Sequence, residues 1–173
     1  MPSAPDASVA FFVMADEGHF QRLRAVISGV VGHGATARVF THSRFATQVE
    51  AAGAELIDIF TRYPLEAADD ESVPIGSRYV TYAACYAERI AQEIRTAPPS
   101  VIVADTFSIV GRIVAAILGV PLVNVCAGHN MPPARVSVEV ATFPEVKTSK
   151  RCHRAVEILR DRFGIADASP FCY

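Results

Sequence analysis

The chain has 173 residues, 51% hydrophobic and 20% charged, with a formal net charge of -2. That length fits one domain with its own core, and the composition excludes a disordered chain. No Lys/Arg run makes a stripe able to neutralise a phosphate backbone, so nucleic acid is not an expected partner.

The opening MPSAPDASVAFFVMADEG carries Asp6 and no basic group ahead of its apolar run, unlike a signal peptide. Within it, residues 8–14 (SVAFFVM) form a continuous apolar segment, the pattern of a strand buried on both faces. Leu23, Val26, Ile27, Val30 and Val31 then recur at helical spacing, and Gly32-His33-Gly34 should stop that helix. ATARVFT is a second strand. Ser43 is placed to cap the helix SRFATQVEAAG, whose apolar face holds Phe45 and Val49. AELIDIF is a third strand. TRYPLEAADDESVPIG, from Thr61 to Gly76, reads as an exposed polar loop. Tyr79, Tyr82, Ala83, Tyr86, Ile90 and Ile94 mark one face of a long helix that TAPPS ends. VIVAD is a fourth strand and FSIVGRIVAAILG its helix. VPLVNV is a fifth, buried strand, and AGHNMPPA a loop. Cys152, Val156, Leu159 and Phe163 fit a last helix running to about Gly164. Strands alternating with helices predict a doubly wound, mainly parallel Rossmann-like α/β sheet with helices on both faces. IVAAILGVPLVNVCAG is broken by Gly119, Pro121 and Asn124, so no membrane span is expected. The scattered Cys85, Cys126, Cys152 and Cys172 suit reduced thiols in a cytoplasmic protein.

In such a sheet, ligands bind beyond the carboxyl ends of the strands, where the strand order changes. His19 follows the first strand and Asp105 ends the fourth. Should those strands flank the crevice, a carboxylate on one imidazole nitrogen would fix the tautomer and raise basicity, leaving the other nitrogen to take a proton. The plainer alternatives stand beside this one: His19 as a surface or capping residue, and Asp105 as the N-cap or turn former ahead of Phe107.

Other patterns carry less. ADEGHFQ lacks the spaced glycines of a dinucleotide fingerprint, and no P-loop lysine motif is present. Cys126 and His129 have ligand-like spacing without a second pair, so no metal is expected. His33 belongs to a turn at the opposite edge of the sheet and reads as structural. Cys85 reads as core filling, not as a nucleophile.

GHFQRLRAVISGVVGHGATARVFTHSRFATQVEAAGAEL resembles the opening of the two-domain, GT-B-fold glycosyltransferases that use nucleotide sugars, the UDP-glycosyltransferase and macrolide or antibiotic glycosyltransferase type. The shared features are Gly-His after strand one, a Gly-His-Gly turn before strand two, a phenylalanine, and a helix ending in Ala-Ala-Gly. VIVADTFSIVGRIVAAILGVPLVNVCAG resembles their fourth strand, helix and fifth strand, with Asp-x-Phe and Leu-Gly-Val-Pro. The similarity covers roughly residues 8–130. Phe20-Gln21-Arg22 stands where many members carry a proline soon after Gly-His, and no subgroup is assigned.

The resemblance implies an inverting transfer of a sugar from a nucleoside-diphosphate sugar to a hydroxyl of a small-molecule acceptor. His19 is then the general base and Asp105 its orienter. The acceptor, with apolar surface, would meet Gly18, Phe20, Tyr79, Tyr82, Phe107, His129 and Asn130. No cofactor or metal is implied. The chain is expected to be a truncated N-terminal acceptor-binding domain, inactive alone, lacking the C-terminal domain that grips the donor's diphosphate. The alternative is a non-catalytic α/β small-molecule-binding or auxiliary module.

Overall fold

The first apolar run forms β1 (Ser8–Phe12), and its unbroken hydrophobicity has a simple cause: it is the middle strand of the sheet. The computed structural model describes residues 7–68, 73–126, 135, 138–139 and 141–170. Its strands are β1, β2 (Thr36–Thr41), β3 (Glu55–Asp58), β4 (Val101–Asp105) and β5 (Leu122–Val125). They lie in the order β3-β2-β1-β4-β5, every neighbouring pair parallel. The order reverses between β1 and β4, which pair from Val9↔Val101 to Phe12↔Ala104. The first and fourth strands therefore do flank the crevice.

Side chains alternate along each strand, so the inner strands β2, β1 and β4 feed two cores. Val9, Phe11 and Val13 join Val39 and Val103 on one face, against Phe20, Leu23 and Ile27 of α1 (Glu17–Gly32) and Val49 of α2 (Ala46–Ala51). Ala10, Phe12 and Met14 join Phe40, Ile102 and Ala104 on the other. That face is covered by α5 (Ile75–Ile94) and α6 (Ile109–Leu118). Phe11 and Phe12 are both fully buried, one in each core, and each contributes about 1.5–3 kcal/mol by leaving water. Phe12 also stacks on Phe40, ring centroids 4.6 Å apart. Two short helices, α3 (Ile59–Arg62) and α4 (Leu65–Ala68), precede α5, and α7 (Pro144–Thr148) and α8 (Lys150–Asp161) follow β5 in the chain.

Several expectations are corrected. The third strand stops at Asp58 because that side chain reaches forward to accept from Phe60 and Thr61 N–H and caps α3. The stretch after Thr61 is accordingly no simple exposed loop: Tyr63, Ala68 and Val73 are buried, while residues 69–72 lie outside the described residues. The cap after β2 is His42, whose Nδ1 accepts from Arg44 N–H, and Ser43 opens a 3-10 turn ahead of α2. Val26 is exposed, narrowing the apolar stripe of α1. Cys85 is exposed too, on the outer side of α5, and does not fill the core. Finally, β5 is not buried. Leu122 and Val123 are 38% and 49% exposed, since the strand is an outer one paired only with β4 among the described residues. His33 is structural as expected: it ends α1, with its ring Nδ1 at 2.7 Å from the carbonyl of Gly29.

Glycine matters most at two places. Gly34 takes φ +85°, the left-handed backbone that releases the chain from α1 toward β2. Gly111 lets α6 settle on the sheet: a Cβ there would lie 2.7 Å from Phe12 Cβ and 3.0 Å from Ala104 Cβ. The start of α6, and the Asp105 turn leading into it, depends on that close approach.

Candidate active site at the strand-order switch

The loop Val13–Asp16 carries the chain from β1 into α1. Asp16 caps the helix, its Oδ1 accepting from Gly18 N–H at 2.9 Å and His19 N–H at 3.4 Å. His19 is thereby fixed in the first helical turn, above the carboxyl ends of β1 and β4. Across the switch, Asp105 is fully buried at its side chain, and its Oδ1 lies 2.7 Å from His19 Nδ1. The other carboxylate oxygen accepts from Met14 N–H at 3.0 Å. One aspartate thus binds both the histidine and the loop that presents it.

Asp105 keeps the plainer role as well. Phe107 N–H reaches its Oδ1 at 3.4 Å and the Ser108 hydroxyl its Oδ2 at 3.5 Å. The turn former and the partner of His19 are the same residue. Phe107 supplies a wall, its ring centroid 5.2 Å from that of His19.

The hydrogen bond to Asp105 raises the pKa of His19 above the ordinary 6.5. Burial opposes that, the charges of Asp105 and Asp16 reinforce it, and Arg22 opposes it. The imidazole retains 19% exposure at its side chain, enough to be met from outside. In the neutral ring, a proton on Nδ1 directed at the carboxylate leaves the lone pair on Nε2. The arrangement is able to accept a proton at Nε2 and to stabilise the imidazolium that results.

Tyr79 reaches the same loop from α5. Its ring is 2% exposed, and its hydroxyl oxygen accepts from Ala15 N–H at 3.2 Å; burial pushes its phenol pKa far up. Together with Met14, Asp16, His42, Leu65 and Ile75 it lines a cavity of about 430 Å³. The β1–α1 loop is one wall of that cavity; His19 lies beyond it, in the first turn of α1, and is not among the lining residues. Arg44, which the sequence pattern did not single out, donates to the Ala15 carbonyl and holds the loop from the β2 side. Its only sequence signal is its position just past the second strand, the right place for the crevice.

Two expected acceptor contacts lie elsewhere. Phe20 is fully buried in the α1/α2 core, stacked on Phe45 with ring centroids 4.4 Å apart. Tyr82 is also fully buried; its hydroxyl donates to the Ile59 carbonyl at 3.4 Å, and its ring packs among Phe60, Tyr79 and Tyr86. Both are buried, one in each core, with no surface for a ligand to touch. Gly18 and Phe107 stand at the crevice. His129 and Asn130 lie outside the described residues. Among the described residues, no three His, Cys, Asp or Glu side chains converge as a metal site, and no helix is long and apolar enough to cross a membrane.

A histidine in contact with a buried aspartate thus stands at the strand-order switch of a parallel sheet. No protein-family model and no curated protein matches the chain. Solved structures do. The glycotransferase of kitacinnamycin superposes with a TM-score of 0.72 at 17% identity, over 96% of this chain and 43% of that one. CalG4, the calicheamicin glycosyltransferase, gives 0.71 at 20% identity, over 95% and 44%. SsfS6, a Streptomyces sp. SF2575 glycosyltransferase complexed with thymidine diphosphate, gives 0.62 at 15% identity, over 96% and 47%. The chain has the fold found in these glycosyltransferases and spans less than half the length of each.

Proposed function

We propose that this chain is the acceptor-binding half of an inverting, nucleotide-sugar-dependent glycosyltransferase, and that His19 is its general base. The observation that carries the proposal is the 2.7 Å contact between His19 Nδ1 and the buried Asp105 at the strand-order switch. A merely capping histidine has no need of a buried carboxylate, and a merely capping aspartate has no need of the imidazole.

The acceptor occupies the cavity beside the β1–α1 loop, its apolar surface against Met14, Leu65, Ile75 and Tyr79, and its hydroxyl extends past the loop to His19 Nε2. Nε2 takes the hydroxyl proton as the oxygen attacks the anomeric carbon. The bond from that carbon to the nucleoside diphosphate breaks on the opposite side, the leaving group keeps the electron pair, and the configuration inverts. Asp105 meets the positive charge arising on the ring. No covalent sugar intermediate forms. The nucleotide and its diphosphate belong to the other half of the enzyme, consistent with a chain shorter than half of its structural neighbours. That SsfS6 was solved with thymidine diphosphate supports a nucleoside-diphosphate sugar as donor.

Ligand preference tests this division of labour. In calorimetric titrations the 173-residue chain should bind members of a panel of phenolic and macrocyclic alcohols, and bind uridine and thymidine diphosphates weakly or not at all. Tight diphosphate binding without acceptor binding would assign this half to the donor instead.

A further inference from the structure

The loop that presents His19 is held at successive points. Met14 N–H donates to Asp105 Oδ2 at 3.0 Å and Ala15 N–H to the Tyr79 hydroxyl at 3.2 Å, while the Ala15 carbonyl accepts from Arg44 Nη2. The first two partners are buried, on β4 and α5. The third stands in the turn Ser43–Phe45 after β2. The Ala15 carbonyl shares a peptide plane with Asp16 N–H, and a planar peptide turns as one unit. That N–H donates to the Met14 carbonyl at 2.8 Å, and Asp16 is the residue whose side chain caps α1 at Gly18 and His19. A guanidinium that fixes the Ala15 carbonyl therefore fixes the plane from which the cap, and His19 with it, is hung. Its charge makes this the stronger kind of hydrogen bond.

Arg44 reaches α1 by a second route. Its guanidinium carbon lies 4.7 Å from the centroid of the Phe45 ring, and Phe45 stacks on Phe20 with centroids 4.4 Å apart. Phe20 follows His19 in the first turn, and its N–H donates to the Asp16 carbonyl at 3.0 Å. The backbone of Arg44 is itself tied, its N–H donating to His42 Nδ1 at 3.0 Å. One side chain thus touches both the loop ahead of the cap and the ring stack that anchors the residue after the histidine.

We infer that Arg44 is a positioning residue: by pinning the Ala15–Asp16 peptide and the Phe45–Phe20 stack, it sets His19 Nδ1 against Asp105. The placement of His19 is readable without turnover; its bearing on sugar transfer rests on the proposed role of His19 as general base. The sign of one shift separates placement from charge. Removing a nearby cation would raise the titration of an imidazole, whereas loosening its bond to Asp105, the largest influence raising it, would lower it.

The test is nitrogen-15 NMR of the imidazole rings in the 173-residue chain, with His19 assigned by its loss in His19→Gln. Arg44→Met keeps an unbranched side chain over Phe45 and removes the charge and the donors. It should shift the His19 titration down toward 6.5 and reduce the population carrying the proton on Nδ1. Arg44→Gln, a milder change, should shift both in the same direction by less, and is read alone if Arg44→Met does not fold. Arg44→Lys, which keeps a charged donor, should restore both in part. Denaturant titration of each variant runs beside, since a bond serving stability alone would lower the midpoint and leave the ring signals unmoved. An unchanged or upward-shifted His19 titration in the folded uncharged variant would overturn the inference, as would Arg44→Lys lying no nearer the native signals. If His19 shifts as expected while His19→Ala keeps full transfer, the general-base reading fails and the positioning stands.

Discussion

At the scale of the residue, the pairing of His19 with Asp105 sets the acid–base behaviour of the site. The hydrogen bond and charge of Asp105 outweigh burial, so the folded-state pKa of His19 lies above the ordinary 6.5. The linkage sign follows: a raised value means the folded state holds its proton more tightly than the unfolded chain. The stabilisation is therefore fully present below about pH 6.5 and is lost as pH rises through the folded value. For the proposed general base, competence runs the other way, because a base must be neutral, and the acid limb of a rate profile should fall above pH 6.5. Asp105→Asn removes the charge and should move the His19 titration to lower pH, which proton and nitrogen-15 NMR of the imidazole would record. A His19 titrating at or below 6.5 in the native chain, or one indifferent to Asp105→Asn, would contradict the pairing.

At the scale of the element, α6 is positioned by one glycine. A Cβ at residue 111 would press on Phe12 and Ala104 at 2.7–3.0 Å, and strand carbons cannot give way as a flexible side-chain tip can. Gly111→Ala should therefore cost about 1–3 kcal/mol of stability, the usual cost of overpacking. Denaturant titration would show it as a lower midpoint with an unchanged slope; an unchanged midpoint would mean α6 is free to shift. The same elements show what the sequence makes legible. Apolar runs and 3.6-residue spacing disclosed the strands and the main helices, because β1 is central and α5 buries one continuous side. Side-chain caps were less visible: Asp58 reads as part of a strand until its carboxylate is seen bonding forward to Phe60 and Thr61. Helical phase decided others. Cys85 lies about 200° round from Ala83, which puts it on the outer side of α5 although it adjoins the aromatic stripe. Tyr79 and Tyr82 belong to one stripe, yet Tyr79 reaches Ala15 in the β1–α1 loop while the buried Tyr82 meets the Ile59 carbonyl just past β3. The histidine and aspartate could be placed from sequence because topology alone brings the ends of strands one and four together. Arg44 could not, since a guanidinium reaching a backbone carbonyl across two loops leaves no spacing to find.

At the scale of the whole molecule, the fold is shared with glycosyltransferases more than twice as long as this chain. The proposed division of substrates between two halves would give each half a distinct set of sensitivities. Loss of the proposed base should harm the chemical step and leave nucleotide affinity nearly unchanged, because those contacts are assigned outside these residues. The most direct measurement is single-turnover sugar transfer by a protein joining this chain to a donor-binding half, with and without His19→Ala. Donor and acceptor would be saturating, pH would be varied, and each variant's folding would be checked. Positioned proton abstraction is typically worth about 10²–10⁴-fold, so His19→Ala should lower the chemical rate by that order and remove its acid limb. Full chemical turnover in His19→Ala would contradict the account and leave Gly18-His19-Phe20 as a helix start that moves no proton.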